Sequence, residues 1–321
     1  MKLSVPLIPA SFFAMTLGLA ETGNAWRFAV QLWHIPAAAG EVLEILAALS
    51  FIVFIALYIY KWRAYRQAAL NELRDPVQSA FIALIPEALI LLALAWQPYY
   101  LQGALGIFWI GSIANLLFAV MRLAAHWTTQ REAIHIVPPL FLPYTASVLV
   151  NALAAGVFGY TDYGWMLFGI GVMSWFILDG TIAQQLMTGG LAEKTRNFMG
   201  IYSAPPVIAL VAYQILSGND VDRAISHALA GYAIFIFAGL LCAARWLARQ
   251  PFAPGYWAYT FGLATLAQGL MLMAGRSDSA VLHGVAAAAF AASVLLLVSV
   301  AFGSARLLAR RAYFPPLAPA A

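Results

Sequence analysis

The sequence predicts an all-α polytopic membrane protein, and three observations lead to this fold class. Of the 321 residues, 63% are hydrophobic and only 9% are charged, whereas soluble domains carry about 25% charged residues. The mean hydropathy of +0.83 is too high for a chain that covers itself with polar surface. Ten apolar stretches follow one another along the chain, each near the roughly 20 residues that one bilayer crossing needs. Soluble enzymes and nucleic-acid-binding folds are therefore set aside, and no nucleic-acid partner is expected.

The ten predicted spans form one domain over residues 1–311. They lie near residues 6–26, 38–61, 77–96, 102–125, 138–158, 163–186, 197–216, 224–248, 255–274 and 280–308. No stretch alternates polar and apolar residues with a period of two, so helices rather than the strands of a barrel are expected. Residues 312–321 are rich in proline and are predicted to be a disordered tail.

The basic residues predict the orientation of these spans. When the N-terminus is placed in the cytoplasm, 14 of the 17 Lys and Arg residues fall on the cytoplasmic side. Only Arg27, Arg223 and Arg276 fall on the other side. Because cytoplasmic loops carry an excess of Lys and Arg, this partition favours an even number of spans with both termini in the cytoplasm.

Prolines distinguish the odd-numbered spans from the even-numbered ones. The odd spans contain Pro9, Pro86, Pro143, Pro205 and Pro206, and the ninth span has Pro254 at its start and Gly262 inside it. The even spans have no interior proline. A proline removes one helical hydrogen bond, and the freed carbonyl is tolerated in a membrane only where protein or a cavity covers it. We therefore expect a helix pair repeated five times, with the odd helices around one cavity and the even helices facing lipid.

Short motifs in the same order resemble a known family over nearly the whole chain. They include residues 8–13 (IPASFF), 25–27 (AWR), 81–86 (FIALIP), 141–143 (FLP), 159–162 (GYTD), 168–175 (FGIGVMSW), 200–205 (GIYSAP) and 257–263 (WAYTFGL). This set is similar to the tellurite-resistance/dicarboxylate transporter family, and above all to its bacterial tellurite-resistance branch. The family also includes plant slow anion channels and fungal malate and sulfite permeases. The resemblance implies ten helices in five hairpins, with quasi-five-fold symmetry around a central pore, in a homotrimer of the bacterial inner membrane.

The resemblance also implies an aromatic gate, which matches Phe261 in this sequence. A bulky ring beside Gly262 can close a narrow pore by occlusion and dewetting. From the residues alone, an ordinary packing aromatic is the favoured interpretation of Phe261, and only the resemblance favours the gate. The predicted function is an anion channel or facilitator for small inorganic or organic anions, in contact with membrane lipids. The candidate pore-lining residues are Pro9, Gly18, Pro86, Glu87, Pro143, Pro205 and Gly262.

Glu87 fits this pore least well, because an ionised carboxylate in the middle of a span costs several kcal/mol. Three interpretations remain open: the group stays protonated, it pairs with a distant cation, or it titrates and couples anion movement to protons. The third makes the chain a proton-coupled secondary transporter of dicarboxylate or tellurite-like oxyanions. A membrane binding or regulatory subunit is a further alternative.

Arg122 and Asp179 lie at similar predicted depths in the fourth and sixth spans, and we expect a structural ion pair between them. The histidines all fall in loops or near span ends, and none forms an i, i+4 pair inside a span. No nucleotide-binding loop or catalytic nucleophile motif occurs. Neither a metal nor a cofactor is predicted, and the chain is not expected to be an enzyme.

Overall fold

The computed structural model describes residues 5–314, and every regular element among them is helical. This confirms the predicted all-α class. The thirteen α-helices are α1 (Phe13–Trp33), α2 (Ala38–Ala64), α3 (Arg66–Arg74), α4 (Leu84–Trp96), α5 (Leu101–Thr128), α6 (Ser147–Val157), α7 (Thr161–Thr188), α8 (Met199–Tyr202), α9 (Ala204–Ser217), α10 (Arg223–Cys242), α11 (Ala244–Leu247), α12 (Trp257–Ala274) and α13 (Ala280–Ala309).

Eight stretches within residues 5–314 are long and apolar enough to cross a membrane. They correspond to the second to eighth and the tenth predicted spans. Helices α1 and α12 occupy the positions of the first and ninth, but polar residues such as Glu21, Asn24 and Gln268 make them less apolar. Both are largely buried among the other helices, so their polar residues face protein rather than lipid.

Burial divides the predicted spans into an inner and an outer set. Among the stretches that qualify as spans, the odd-numbered ones at 78–96, 138–157 and 193–217 are 67–89% buried. Helices α2, α5, α7, α10 and α13, which we call the outer helices, are only 22–39% buried. This difference agrees with the proline pattern. We call the regions 10–33, 78–96, 138–157, 193–217 and 254–274 the inner segments.

The helices of the inner segments form a closed circle of contacts. Helix α1 packs on α4, α4 on α6, α6 on α9, α9 on α12, and α12 again on α1. Each also packs against the outer helix that follows it in the chain, which gives five antiparallel pairs. Small residues permit the close approach at these interfaces. A Cβ added at Gly18, for example, would collide with the hydroxyl of Thr260 where α1 meets α12.

The inner segments share one local feature, a 3-10 turn at the N-terminal end. These turns cover Ala10–Phe12, Gln78–Ala83, Pro138–Phe141, Glu193–Phe198 and Pro254–Tyr256. Most of these prolines therefore lie at helix starts. The sequence instead predicts that they interrupt long helices. Pro9 precedes its turn and Pro205 lies at the first positions of α9, where a missing N–H costs little because no intrahelical acceptor awaits it.

Pro143 is the proline that distorts a continuing helix. It lies in a π-helical turn, Leu142–Ala146, between the 3-10 turn and α6. The hydroxyl of Ser147 donates a hydrogen bond to the Pro143 carbonyl at 3.1 Å. A π-turn and a hydroxyl donor are two ways in which a membrane protein satisfies the backbone groups that proline disturbs.

The C-terminal end differs from the prediction of a disordered tail beginning at residue 312. Residues 312–314 belong to the described part of the chain, and Tyr313 is buried. The rings of Tyr313 and Phe314 lie 5.4 and 5.8 Å from the ring of Phe12, between centroids. These aromatic contacts fix the segment against the start of α1. Residues 315–321 lie outside the described residues.

Candidate functional site

One cavity of about 410 Å³ lies between the N-terminal ends of the inner segments. All five contribute to its wall, for example through Ser11, Glu87, Ala146, Ala204 and Phe261. The side chains of residues 312–314 complete the wall. The prolines and 3-10 turns position these elements, because they set the direction in which each inner helix starts. All five inner segments thus share the wall of one cavity at this end of the helices.

The wall is mostly apolar, and no Lys or Arg of the described residues contributes to it. Glu87 is its one carboxyl group in that range, and the amides of Gln78 and Asn197 also line the cavity. A surface of this kind attracts ions only weakly, through dipoles and not through fixed positive charge.

Phe261 lies in the first half of α12 and its ring forms part of the cavity wall. Its side chain is only 6% exposed. The neighbouring Gly262 faces away from the cavity: a Cβ placed there would lie 2.7 Å from the Ser203 hydroxyl oxygen. Gly262 thus allows α12 to approach the junction of α8 and α9, and this contact fixes where the Phe261 ring stands.

The other predicted pore-lining residues lie at different depths in the bundle. Pro9 lines the cavity beside the start of α1. Gly18, Pro86, Pro143 and Pro205 are buried within the described helices but lie behind the cavity surface. Gly18 and Pro86 are at helix contacts, since the carbonyl of Pro86 lies 3.1 Å from a Cβ built on Gly111 of α5. These residues shape the wall without forming its surface.

Glu87 is 1% exposed, and its Oε2 atom has no hydrogen-bond partner among the described residues. Glu21 of α1 is 2% exposed and has an unpartnered Oε1. The two carboxyl groups are close enough to repel each other when both are charged. The sequence interpretation missed Glu21. The signal was available, because an acidic residue inside an apolar span marks a functional site by default.

Further unpartnered polar atoms occur on the inner segments. The side-chain oxygens Thr145 Oγ1, Asn151 Oδ1 and Gln268 Oε1 are buried without a partner among the described residues. Buried polar atoms are nearly always hydrogen-bonded to protein or water. Together with Glu21 and Glu87, they give the inner segments several buried polar atoms that await a partner.

A buried ion pair holds the start of the first inner segment. Lys61, at the end of α2, lies 2.6 Å from Glu72 of α3, and both side chains are almost fully buried. Lys61 also donates a hydrogen bond to the carbonyl of Ile8, and Glu72 accepts one from the N–H of Ala10 at 2.7 Å. The pair therefore holds the backbone on both sides of Pro9 at the cavity wall.

The structure gives Arg122 and Asp179 different surroundings, and the ion pair expected between them is not among those of the described residues. Asp179 accepts a hydrogen bond from the Tyr232 hydroxyl at 3.2 Å. Arg122 lies near Arg131 and Tyr144 instead. Similar depth in the membrane was the basis of the prediction, and depth does not specify which faces of two helices meet.

A closed circle of inner helices around a cavity, enclosed by apolar outer helices, defines a membrane protein of the channel or transporter class. The chain matches the family described as "SLAC1: Voltage-dependent anion channel" over residues 8–305 and belongs to this family. This confirms the resemblance deduced from the ordered motifs. The protein is thus a multi-pass membrane protein of an anion channel and transporter family.

Several curated relatives are similar to this chain over most of its length. A tellurite resistance protein TehA homolog of Haemophilus influenzae is 32% identical over 266 residues, which is 81% of this chain and 79% of that protein. The S-type anion channel SLAH4 of Arabidopsis thaliana is 25% identical, over 80% of this chain and 72% of its own length. The S-type anion channel SLAH2 of the same plant is 22% identical, and the chain spans about half of it, 51%.

Proposed function

We propose that this protein is an anion channel or facilitator whose path runs along the centre of the five inner segments. In this proposal α1 and α12 also cross the membrane, which gives ten spans in five hairpins with quasi-five-fold symmetry. The protein lies in the bacterial inner membrane with both termini in the cytoplasm, and three copies assemble into a homotrimer. Small inorganic or organic anions pass through each subunit separately.

The observation that carries this proposal is the cavity to which all five inner segments contribute. Buried polar atoms of Thr145 and Gln268 continue the polar character along the inner helices beyond the cavity. Water in a narrow lumen would supply the missing partners of these atoms. Because the cavity wall has no Lys or Arg in the described range, anions would bind weakly and leave easily, as conduction requires.

Phe261 is the proposed gate of this path. Its buried ring stands on the cavity wall at a point where α12 is fixed by close contact through Gly262. A ring in this position blocks the lumen by its volume and by excluding water. Pro9 and Glu87 line the cavity on the side of the predicted cytoplasmic entrance, while Gly18, Pro86, Pro143, Pro205 and Gly262 fix the positions of the helices around it.

Proton-coupled transport of dicarboxylate or tellurite-like oxyanions is the second candidate function. It is favoured by the juxtaposition of Glu21 and Glu87, two buried carboxyl groups that each have an unpartnered oxygen. Two neighbouring carboxyl groups cannot easily both be charged, so such a pair readily holds a proton. Protonation and release of this pair could accompany anion movement.

Currents through the purified protein in planar bilayers separate these candidates. In a channel, the anion gradient drives the current, the current rises linearly with voltage, and no pH gradient is needed. A coupled transporter gives a small saturable flux that a pH gradient drives, and Glu87→Gln abolishes this drive while the exposed Glu41→Gln does not. Absence of any flux would contradict both candidates and favour a binding or regulatory subunit.

A further inference from the structure

Two arginines and a histidine meet at the end of α5 that is predicted to be cytoplasmic. Arg122 and His126 lie one turn apart on α5, and Arg131 follows in the loop after the helix. Arg122 and Arg131 are close enough to interact electrostatically with each other, and both also interact electrostatically with His126. The guanidinium groups of Arg122 and Arg131 carry the same charge and repel each other, so their proximity requires an explanation.

Three side-chain nitrogen atoms of this cluster have no hydrogen-bond partner among the described residues. Arg122 Nε, Arg131 Nη1 and His126 Nε2 are all buried and unpartnered. Arg122 as a whole is only 9% exposed. A buried cationic donor without a partner is costly, because the group has lost its hydration and has gained nothing in return.

The nearby protein groups do not neutralise this positive charge. Asp75 interacts electrostatically with Arg131, but the two side chains do not form an ion pair. Asp75 Oδ1 already accepts hydrogen bonds from the N–H groups of Val77 and Gln78. Tyr144 is hydrogen-bonded to His126 Nδ1 at 2.7 Å. The cluster therefore retains a net positive charge that the described residues do not balance.

We propose that Arg122, His126 and Arg131 form a binding site for a phosphate group, separate from the cavity between the inner segments. Guanidinium groups present several N–H donors to oxyanions in a planar fork, and an imidazole N–H adds a further donor. A tetrahedral phosphate has enough oxygens to accept from all three side chains at once. Binding would relieve the repulsion between the two arginines and satisfy their buried donors.

The site lies at the end of an outer helix, where a membrane protein meets both lipid headgroups and the aqueous phase. The phosphate can therefore belong to an anionic lipid or to a free phosphate ion. Basic pockets between helices on the cytoplasmic side commonly bind anionic headgroups. The chemistry of recognition is the same for both sources, and the experiment distinguishes them.

The test measures the thermal unfolding of the full-length protein in detergent, because a ligand that binds only the folded state raises its unfolding midpoint. Inorganic phosphate is compared with chloride at equal ionic strength. In a second series, phosphatidylglycerol is compared with phosphatidylcholine. Arg131→Gln is the main variant, since its loop position leaves the helices intact, and Arg122→Lys is the second. The matched control is Arg249→Gln, an exposed arginine in another loop of the same predicted side.

We expect phosphate or phosphatidylglycerol to raise the midpoint of the wild type and of Arg249→Gln. In Arg131→Gln the apparent affinity should fall at least about tenfold, as expected for the loss of a charge-assisted hydrogen-bond partner. Protection by phosphate identifies a free-ion site, and protection by phosphatidylglycerol alone identifies a headgroup site. Absence of protection by either, or equal protection of Arg131→Gln and the wild type, would overturn the proposal.

Discussion

Replacement of Phe261 by alanine tests the proposed gate. The ring is 6% exposed and forms part of the cavity wall. Burial of such a side chain is worth about 1.5–3 kcal/mol. If the ring has to leave this position for an anion to pass, the open state is disfavoured by the same amount. At 1.4 kcal/mol for each factor of ten, this corresponds to about a 10- to 150-fold reduction in current.

We therefore expect Phe261→Ala to raise the anion current by about one to two orders of magnitude. The assay is the steady-state current through purified protein reconstituted in planar bilayers, normalised to the amount of protein inserted. The thermal unfolding midpoint is measured in parallel, because the loss of a buried phenylalanine also costs about 3–5 kcal/mol of stability.

Phe290→Ala is the matched control for this experiment. Phe290 is 8% exposed, and its ring packs on Trp26 at 5.1 Å and on Trp33 at 5.7 Å between centroids. It lies on the outer helix α13 and away from the cavity. The control should lose stability without gaining current. An unchanged current in Phe261→Ala, or an equal rise in Phe290→Ala, would refute the assignment of Phe261 as the gate.

Three further substitutions test other parts of the site. Glu87→Gln should flatten any pH dependence of anion flux, since it removes a titratable group from the cavity wall; the exposed Glu193→Gln is the control, and an unchanged pH profile would argue against coupling. Glu72→Gln should lower the free energy of unfolding by about 3–5 kcal/mol, because it leaves the buried Lys61 without its counter-charge; denaturant unfolding that matches the Glu193→Gln control would contradict this. Tyr313→Ala should lower thermal stability, because it removes a buried ring from the cavity wall. It should leave the current low, because the proposed gate is intact. A large increase in current would place the barrier at the C-terminal segment instead.

The division into inner and outer helices could be predicted from the sequence, because prolines in a membrane require cover from other protein groups. The prolines identified the correct helices, although most of them mark helix starts. Pro205 illustrates the difference: its apolar surroundings extend on both sides, but the chain turns at Ser203 and a new helix begins at Ala204. Hydropathy alone does not distinguish one long helix from two short ones in line.

The pairing of side chains could not be predicted to the same extent. Depth along a helix follows from residue number, but the direction in which a side chain points also depends on how neighbouring helices are rotated. Arg122 and Asp179 share a depth yet face different neighbours. Lys61 falls on the predicted cytoplasmic side, and the sequence does not indicate that it is buried in an ion pair with Glu72. Such contacts depend on the loop helix α3, whose position hydrophobic periodicity does not specify.

The central claim is that the inner segments enclose a path for anions. The most direct measurement is the reversal potential of the current through purified wild-type protein, and through Phe261→Ala, in planar bilayers under a gradient of potassium chloride. We predict a reversal potential close to the chloride equilibrium potential for both proteins. A reversal potential close to that of potassium, or a conductance no greater than that of the lipid alone in both proteins, would contradict the claim.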